Sequence, residues 1–184
     1  MPKKLTVPTK IAISTLLILI WAGTLIFIYN LIFLNPWMET SLRQQFDEGF
    51  FEFSGFTVEN DEGNDEDDLE AIIDKYEPVF ESLENTALER LEDLYTIAVA
   101  EYHEKKAAGT YDRFQLANKY LQAGQLLENT VDSAFYALLE NMEKELERKD
   151  LPADIVSEIE ATYKETKQEK KEEMFDRLRE EVER

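Results

Sequence analysis

The chain reads LEAIIDKYEPVFESLENTALERLEDLYTIAVAEYHEKKAAG from residue 69 to residue 109, with an apolar side chain at every third or fourth position. This spacing matches the 3.6 residues per turn of an α-helix and predicts one long helix with an apolar face. We expect Pro78 to interrupt or kink that helix, Gly109 to end it and Thr110 to cap the next one. The apolar face consists of Leu69, Ile73, Tyr76, Phe80, Leu83, Ala87, Leu91, Leu94, Ala98 and Tyr102.

Two more segments continue the same period. The second helix is predicted to end near Asp150, and Pro152 suits the first turn of the third. The centre of the third, residues 164–173, is nearly all charged, so it either lies on the bundle edge or projects into solvent. Because short turns between long helices favour antiparallel neighbours, residues 69–184 predict an elongated antiparallel three-helix bundle in an all-α protein. The second stripe consists of Phe114, Ala117, Tyr120, Gly124, Leu127, Val131, Phe135, Leu138, Met142 and Leu146. The thinner third stripe consists of Ile155, Ile159, Tyr163, Met174, Leu178 and Val182.

The first two helices resemble each other at an offset of 44 residues. KYEPVFESLENT at residues 75–86 and KYLQAGQLLENT at residues 119–130 share six of twelve positions. Either one helix was duplicated, or two core-facing helices use the same restricted set of residues. If the turn between the first two helices lies near Gly109, two residues face each other across this hairpin when their numbers sum to about 218. The repeat indicates how the bundle is built rather than a catalytic site. A further hypothesis is that Asn85 and Asn129 face a shared partner groove.

The N-terminal segment predicts a membrane anchor. Residues 11–34 contain no charge and would form about 36 Å of helix, enough to cross a hydrocarbon core of about 30 Å. Three lysines precede this segment and acidic residues follow it, so residues 1–10 are expected in the cytoplasm and the C-terminal domain outside. A cleaved signal peptide is the alternative, but the apolar stretch is long and no small-x-small cleavage pattern follows it.

Residues 35–68 are expected to connect the membrane helix to the bundle. They contain an aromatic cluster that is either a docking patch for another membrane protein, or a set of rings resting on lipid headgroups or on the domain. Residues 59–70 hold eight acids in twelve positions, which predicts a flexible tether. With Gly63 at the glycine position of a calcium-binding EF-hand loop, Val58 and Leu69 occupy the two end positions, so the motif fails. The aromatic cluster consists of Phe50, Phe51, Phe53 and Phe56.

Charge and composition exclude several classes of function. The residues from Glu39 onward carry 17 basic and 40 acidic side chains, a net charge of −23, which repels nucleic acid and anionic headgroups. The absence of cysteine excludes disulfides and thiolate sites, and the absence of an Asn-x-Ser/Thr sequon excludes N-glycosylation. These features together suit a bacterial envelope protein.

No motif for catalysis, metal binding or cofactor binding is recognisable. The only histidine, His103, lacks the second histidine of a zinc-protease helix, because position 107 is Ala. The chain has no nucleophile elbow, no phosphate-binding glycine-rich loop and no dinucleotide fingerprint. We therefore predict a protein that is not an enzyme and that uses no cofactor or metal.

Two classes of function remain. The first is a single-pass protein whose bundle presents a surface to another membrane or envelope protein. The second is a sensory or ligand-binding module, in which a small molecule or cation between the helices acts through a partner protein. Only about ten residues are predicted inside the cell, which favours the first class. A cavity lined by Tyr76, Tyr120 or Gly124 with convergent polar groups would favour the second.

Overall fold

The computed structural model describes residues 36–47, 49–58 and 68–183, and within these ranges every regular element is an α-helix. This confirms the all-α prediction. The chain divides into two compact units, Met1–Gln45 and Phe46–Arg184. The helices are α1 (Pro36–Gln45), α2 (Leu69–Ala108), α3 (Arg113–Arg148) and α4 (Asp154–Glu183).

The predicted membrane segment and cytoplasmic tail, residues 11–34 and 1–10, lie outside the described residues. Among the helices that the structure describes, none combines the length and the apolar character needed to cross a bilayer. In the first unit the described helix is α1, which ends at Gln45. The aromatic residues from Phe46 onward therefore do not continue that helix, and they belong to the second unit.

Local signals explain where α2 begins and ends. The Asp68 side chain accepts a hydrogen bond from the Glu70 backbone N–H, and Gly109 adopts a left-handed conformation with φ 67° just after the last turn. Of the two predictions for Pro78, the interruption is wrong, because α2 runs continuously through it, and the kink stays a prediction. Pro78 and Asp74, whose carbonyl loses its usual N–H partner, are both exposed, so water can satisfy that carbonyl.

The starts of α3 and α4 differ from the predictions by a few residues. Asp112, and not Thr110, caps α3, because its carboxylate accepts a hydrogen bond from the Gln115 backbone N–H at 3.0 Å. At the end of α3, Asp150 adopts a positive φ of 55°. Pro152 precedes α4, which begins at Asp154.

The second unit contains an antiparallel three-helix bundle. Across α2 and α3 the pairs Tyr76/Glu145, Phe80/Phe135 and Glu101/Lys119 have residue numbers that sum to between 215 and 221, close to the predicted 218. Helix α4 runs antiparallel to α3, as the Lys171–Glu128 and Tyr163–Asp132 contacts show, and parallel to α2, as Arg177–Glu92 and His103–Glu181 show. The 40 residues of α2 correspond to about 60 Å of helix.

The core lies mainly between α2 and α3. Leu138, Met142 and Leu146 of α3 are fully buried, and the last two pack with Ile72 and Tyr76 of α2. None of the described side chains of α4 is fully buried. Helix α4 therefore lies on the edge of the α2–α3 hairpin, which is one of the two predicted arrangements for its charged centre.

Candidate functional site: two equivalent lysine–tyrosine–glutamate clusters

The base cluster, formed by Lys75, Tyr76 and Glu145, joins the beginning of α2 to the end of α3. Lys75 Nζ lies 2.8 and 2.9 Å from the two Glu145 carboxylate oxygens, and the Tyr76 hydroxyl donates a 3.0 Å hydrogen bond to Oε2. Burial and the hydrogen bond to Glu145 raise the pKa of Tyr76. Burial of Glu145 opposes ionisation, but hydrogen bonds from Lys75 and Tyr76 outweigh it and lower the pKa of Glu145. The cluster is therefore a half-buried ion pair with a neutral phenol.

The tip cluster, formed by Lys119, Tyr120, Glu101 and Lys105, joins the same two helices near their other end. Lys119 Nζ and the Tyr120 hydroxyl each lie 2.6 Å from Glu101 Oε2, and Lys105 Nζ lies 3.1 Å from Oε1. Burial of Glu101 raises the pKa of its carboxyl group, but the hydrogen bonds from Lys119, Tyr120 and Lys105 outweigh burial and lower that pKa to about 2. Burial and the bond to Glu101 raise the pKa of Tyr120.

The two clusters are copies at the 44-residue offset. Lys75 and Tyr76 correspond to Lys119 and Tyr120, and their partner Glu145 corresponds to Glu101. In each cluster the lysine and tyrosine of one helix bind the glutamate of the other helix. A two-fold rotation that exchanges α2 and α3 therefore relates the base cluster to the tip cluster. Buried positions repeat at the same offset, as in Ile72/Leu116, Leu83/Leu127, Leu94/Leu138, Ala98/Met142 and Tyr102/Leu146. This agreement favours duplication over coincidence.

The Glu101/Glu145 match was missed because, outside the quoted twelve residues, only the apolar positions of the two helices were compared. Aligning residues 69–108 with 113–152 gives nine identities in forty, and Glu101/Glu145 is one of them. A full-length alignment of the two helices would have found the shared glutamate. It would not have shown that the glutamate meets the Lys–Tyr pair of the other helix.

Helix α4 is attached by a third group of the same kind. The Tyr163 hydroxyl and Lys167 Nζ both donate to Asp132 on α3, and Lys171 Nζ lies 2.9 Å from Glu128. The Tyr163 ring stacks on Phe135, with 3.7 Å between ring centroids. All three helix pairings thus combine packing with charged contacts, since Arg177 binds Glu92 between α4 and α2. Within the described ranges no buried side-chain nitrogen or oxygen lacks a partner.

A cavity of about 230 Å³ lies beside the base cluster. Its polar lining comes from one face of α3 together with the Tyr76 side chain of α2. Tyr76 is one of the three residues that the sequence analysis named for a ligand cavity, whereas Tyr120 and Gly124 do not line it. The lining consists of Val58, Tyr76, Asn141, Lys144, Glu145 and Arg148.

The predicted partner-surface residues lie in different surroundings. Phe50, Phe51 and Phe53 are buried, whereas Phe56 is half-buried and stacks on Phe53 at 6.2 Å. The rings of Phe50 and Phe51 pack edge to face, and the Arg90 guanidinium of α2 lies 5.3 Å from the Phe50 ring centroid. These rings pack within the chain, which is one of the alternatives stated for them.

The two asparagines of the repeat are both exposed, one on α2 and one on α3. The Asn129 side-chain oxygen accepts a hydrogen bond from Gln125 on its own helix. Their role in partner binding stays a prediction.

An exposed apolar surface was not predicted. Phe114, which the period assigned to the core stripe of α3, is 83% exposed, and Leu121 one heptad later is 52% exposed. Phe175 and Val182, also seven residues apart, are exposed on α4. We call these four residues the tip surface. An unusually exposed phenylalanine cannot be recognised from periodicity, because the period gives the face of a helix and not what covers it.

The remaining chemistry of the described residues is sparse. His103 Nε2 lies 3.0 Å from Glu181 Oε1 at an exposed position. Among the described residues no group of three or more histidines and acids is arranged to hold a metal ion. Comparison with protein-family models, curated proteins and solved structures finds no match to this chain.

The tip cluster predicts acid sensitivity. The folded-state pKa of Glu101, about 2, lies below its ordinary value of 4.5, so ionised Glu101 stabilises the fold fully above pH 4.5. This stabilisation is lost as the pH falls from 4.5 towards 2. We expect the difference in free energy of unfolding between wild type and Glu101→Gln to shrink over that window, measured by urea unfolding at several pH values. A difference independent of pH would contradict the assignment. Both proteins keep all the other carboxylates, so the acid response of those groups drops out of the difference between the two free energies of unfolding.

Proposed function

We propose that this is a single-pass membrane protein whose helical domain binds another membrane or envelope protein through the tip surface. In this proposal residues 11–34 form the anchor, the N-terminus is cytoplasmic and the bundle is extracytoplasmic. The charge-free length of the anchor and the lysines before it support this arrangement. The proposal assigns the protein no catalytic activity.

The exposure of Phe114 is the observation that carries the proposal. A phenylalanine that is 83% exposed leaves nearly all of its ring in water, and burying it against a partner would contribute about 2 kcal/mol. Single exposed apolar residues are common on protein surfaces, but grouped ones mark interaction sites. The tip surface places four exposed apolar residues at one end of the bundle, so it is a stronger candidate than a single exposed residue.

The register of α3 and α4 supports this grouping. The Glu128–Lys171 contact fixes how the two antiparallel helices are aligned. Leu121 lies seven residues before Glu128 on α3, and Leu178 lies seven residues after Lys171 on α4, so these two leucines are level with each other. Leu178 lies between Phe175 and Val182 in the sequence of α4. The exposed apolar residues of the two helices thus lie at the same end of the bundle. A partner with an apolar centre and a basic rim would complement this surface, since the domain is strongly acidic.

The absence of cysteine allows a direct test. In intact cells we expect Phe114→Cys to react with a membrane-impermeant maleimide, and a photo-crosslinker attached there to give one discrete heterologous product. Glu143→Cys, exposed on the same helix about 44 Å away, is the matched control and should react equally without giving that product. Labelling only after permeabilisation would overturn the topology. Equal crosslinking from both positions, or none from Phe114→Cys, would overturn the tip surface.

The cavity supports a second candidate, a ligand-binding module. Tyr76 and several charged or amide groups converge on it, as the sequence analysis required for this class. In this proposal ligand binding at the base of the hairpin would stabilise the packing of α2 on α3. The partner would then respond to the ligand-bound form.

A further inference from the structure

Within the base cluster the charged and polar groups bind one another, without contacts from the other residues that line the cavity. Lys75 contacts both oxygens of Glu145, and the Tyr76 hydroxyl is bonded to one of them. These groups form a closed and nearly buried set. The remaining polar lining, Asn141, Lys144 and Arg148, is exposed and carries two positive charges.

The duplicated helix supplies an internal control for this extra lining. At the 44-residue offset Asn141, Lys144 and Arg148 correspond to Ile97, Ala100 and Glu104 beside the tip cluster. Glu101 is held there by its lysines and tyrosine without any cation at those positions. The tip cluster therefore packs with its second cation at Lys105 and with none at the positions that correspond to Lys144 and Arg148.

Both cations are available to a ligand. Arg148 makes no ion pair with any residue in the described ranges, although it is close enough to Glu145 to lower the pKa of that carboxyl further. Lys144 pairs with Glu140 one turn earlier, but both side chains are more than half exposed. Such exposed pairs on one helix are weak, so Lys144 can turn towards a bound anion.

The spacing of the three side chains indicates the class of ligand. Residues 141, 144 and 148 are separated by three and four positions, so they project from one face of α3. An amide, an ammonium and a guanidinium present donors from three successive positions. A phosphate monoester, with close to two negative charges at pH 7, matches the two cations among these donors, whereas a carboxylate carries a single charge. In a domain with this excess of acids, the cavity is a local site where an anion meets positive charge.

We propose that the cavity lined by Asn141, Lys144 and Arg148 binds a phosphate group. The inference rests on the ligand-binding candidate, which it deepens, and is independent of the tip surface. The phosphate group could belong to a free anion or to a phospholipid headgroup. The strong negative charge of the domain disfavours an anionic membrane surface, so we assign the site to a free phosphate or phosphate monoester.

The test uses the full-length chain in phosphatidylcholine nanodiscs, with inorganic phosphate added at constant ionic strength. We expect saturable shifts of the Asn141 side-chain amide and Arg148 guanidinium signals in NMR spectra. Arg148→Ala should weaken binding by tenfold or more, because it removes a charged, two-pronged donor. Arg148→Lys should recover part of the affinity. Glu104→Ala, at the equivalent position of the tip cluster, is the matched control and should leave the affinity unchanged.

Three results would overturn the proposal. The first is a shift that grows linearly with phosphate and never saturates. The second is binding that Arg148→Ala leaves unchanged, with helix content and thermal midpoint confirming that the variant folds. The third is a response of the Arg148 signal to phosphatidylglycerol in the nanodisc but not to inorganic phosphate, which would assign the site to lipid headgroups. Because none of these variants touches Phe114 or Leu121, failure here leaves the partner-binding proposal to its own test.

Discussion

Leu138→Ala is expected to lower the free energy of unfolding by about 3 kcal/mol, within the range found for leucines removed from well-packed cores. Leu138 is fully buried on α3 and occupies the position that corresponds to Leu94 on α2. Its neighbours belong to two long rigid helices, which limits how far they can move to fill the space left behind. Urea unfolding followed by circular dichroism measures the change.

Leu121→Ala is the matched control, since it removes the same atoms from the same helix. Leu121 is 52% exposed, so its removal should change the free energy of unfolding by no more than about 0.5 kcal/mol. If the two variants lost similar stability, the α2–α3 interface would not be the principal core. Domain stability would then have to depend on α4 or on the segment before α2.

The helices and their pairing were predictable because the apolar period extends over many turns. Leu69 begins both the predicted and the observed α2, and Gly109 follows its last residue in both. Once the turn is placed, the register of an antiparallel hairpin is fixed by counting, which is why the pairs sum to nearly the predicted value. The third helix was less certain because its stripe is thin, and in the structure none of its described residues is fully buried.

The misplaced Phe114 shows what periodicity cannot supply. The period correctly puts Phe114 and Leu121 on one face of α3, but coverage of that face depends on the path of α4. Near its end α4 lies against α2, where Arg177 contacts Glu92 and Tyr95. The first turns of α3 are therefore left open. This is a property of three-dimensional packing that no single helix encodes.

The base cavity was also beyond the reach of the sequence. A glutamate such as Glu145, among many acids on an exposed-looking helix, gives no sign that its carboxylate will be buried. Burial follows only when Lys75 and Tyr76 of α2 approach it across the hairpin. The sequence analysis did name Tyr76 as a residue whose position in the lining of a cavity would favour a ligand-binding module.

Glu145→Ala is expected to cost about 3 kcal/mol of unfolding free energy, because removing one member of a buried pair leaves its partners unsatisfied. The Tyr76 hydroxyl, on a side chain that is 2% exposed, would lose its acceptor, and the Lys75 ammonium would lose both of its contacts. Glu145→Gln keeps an acceptor for Tyr76 while removing the charge, so its cost should be smaller. The ranking of the two variants separates the hydrogen bond from the ion pair.

The equivalent tip cluster makes this experiment a test of the two-fold relation itself. Glu101→Ala removes the equivalent carboxylate, which is more exposed than Glu145, so we expect a cost of the same kind but smaller, about 1–2 kcal/mol. About 38 Å of α2 separates Tyr76 from Glu101, so the double variant should lose the sum of the two costs to within about 0.5 kcal/mol. A much larger combined loss would mean that the clusters act as one unit. A negligible cost at Glu101 beside a large one at Glu145 would mean that the repeated residues no longer share a structural role, and that the base cluster alone holds the hairpin together.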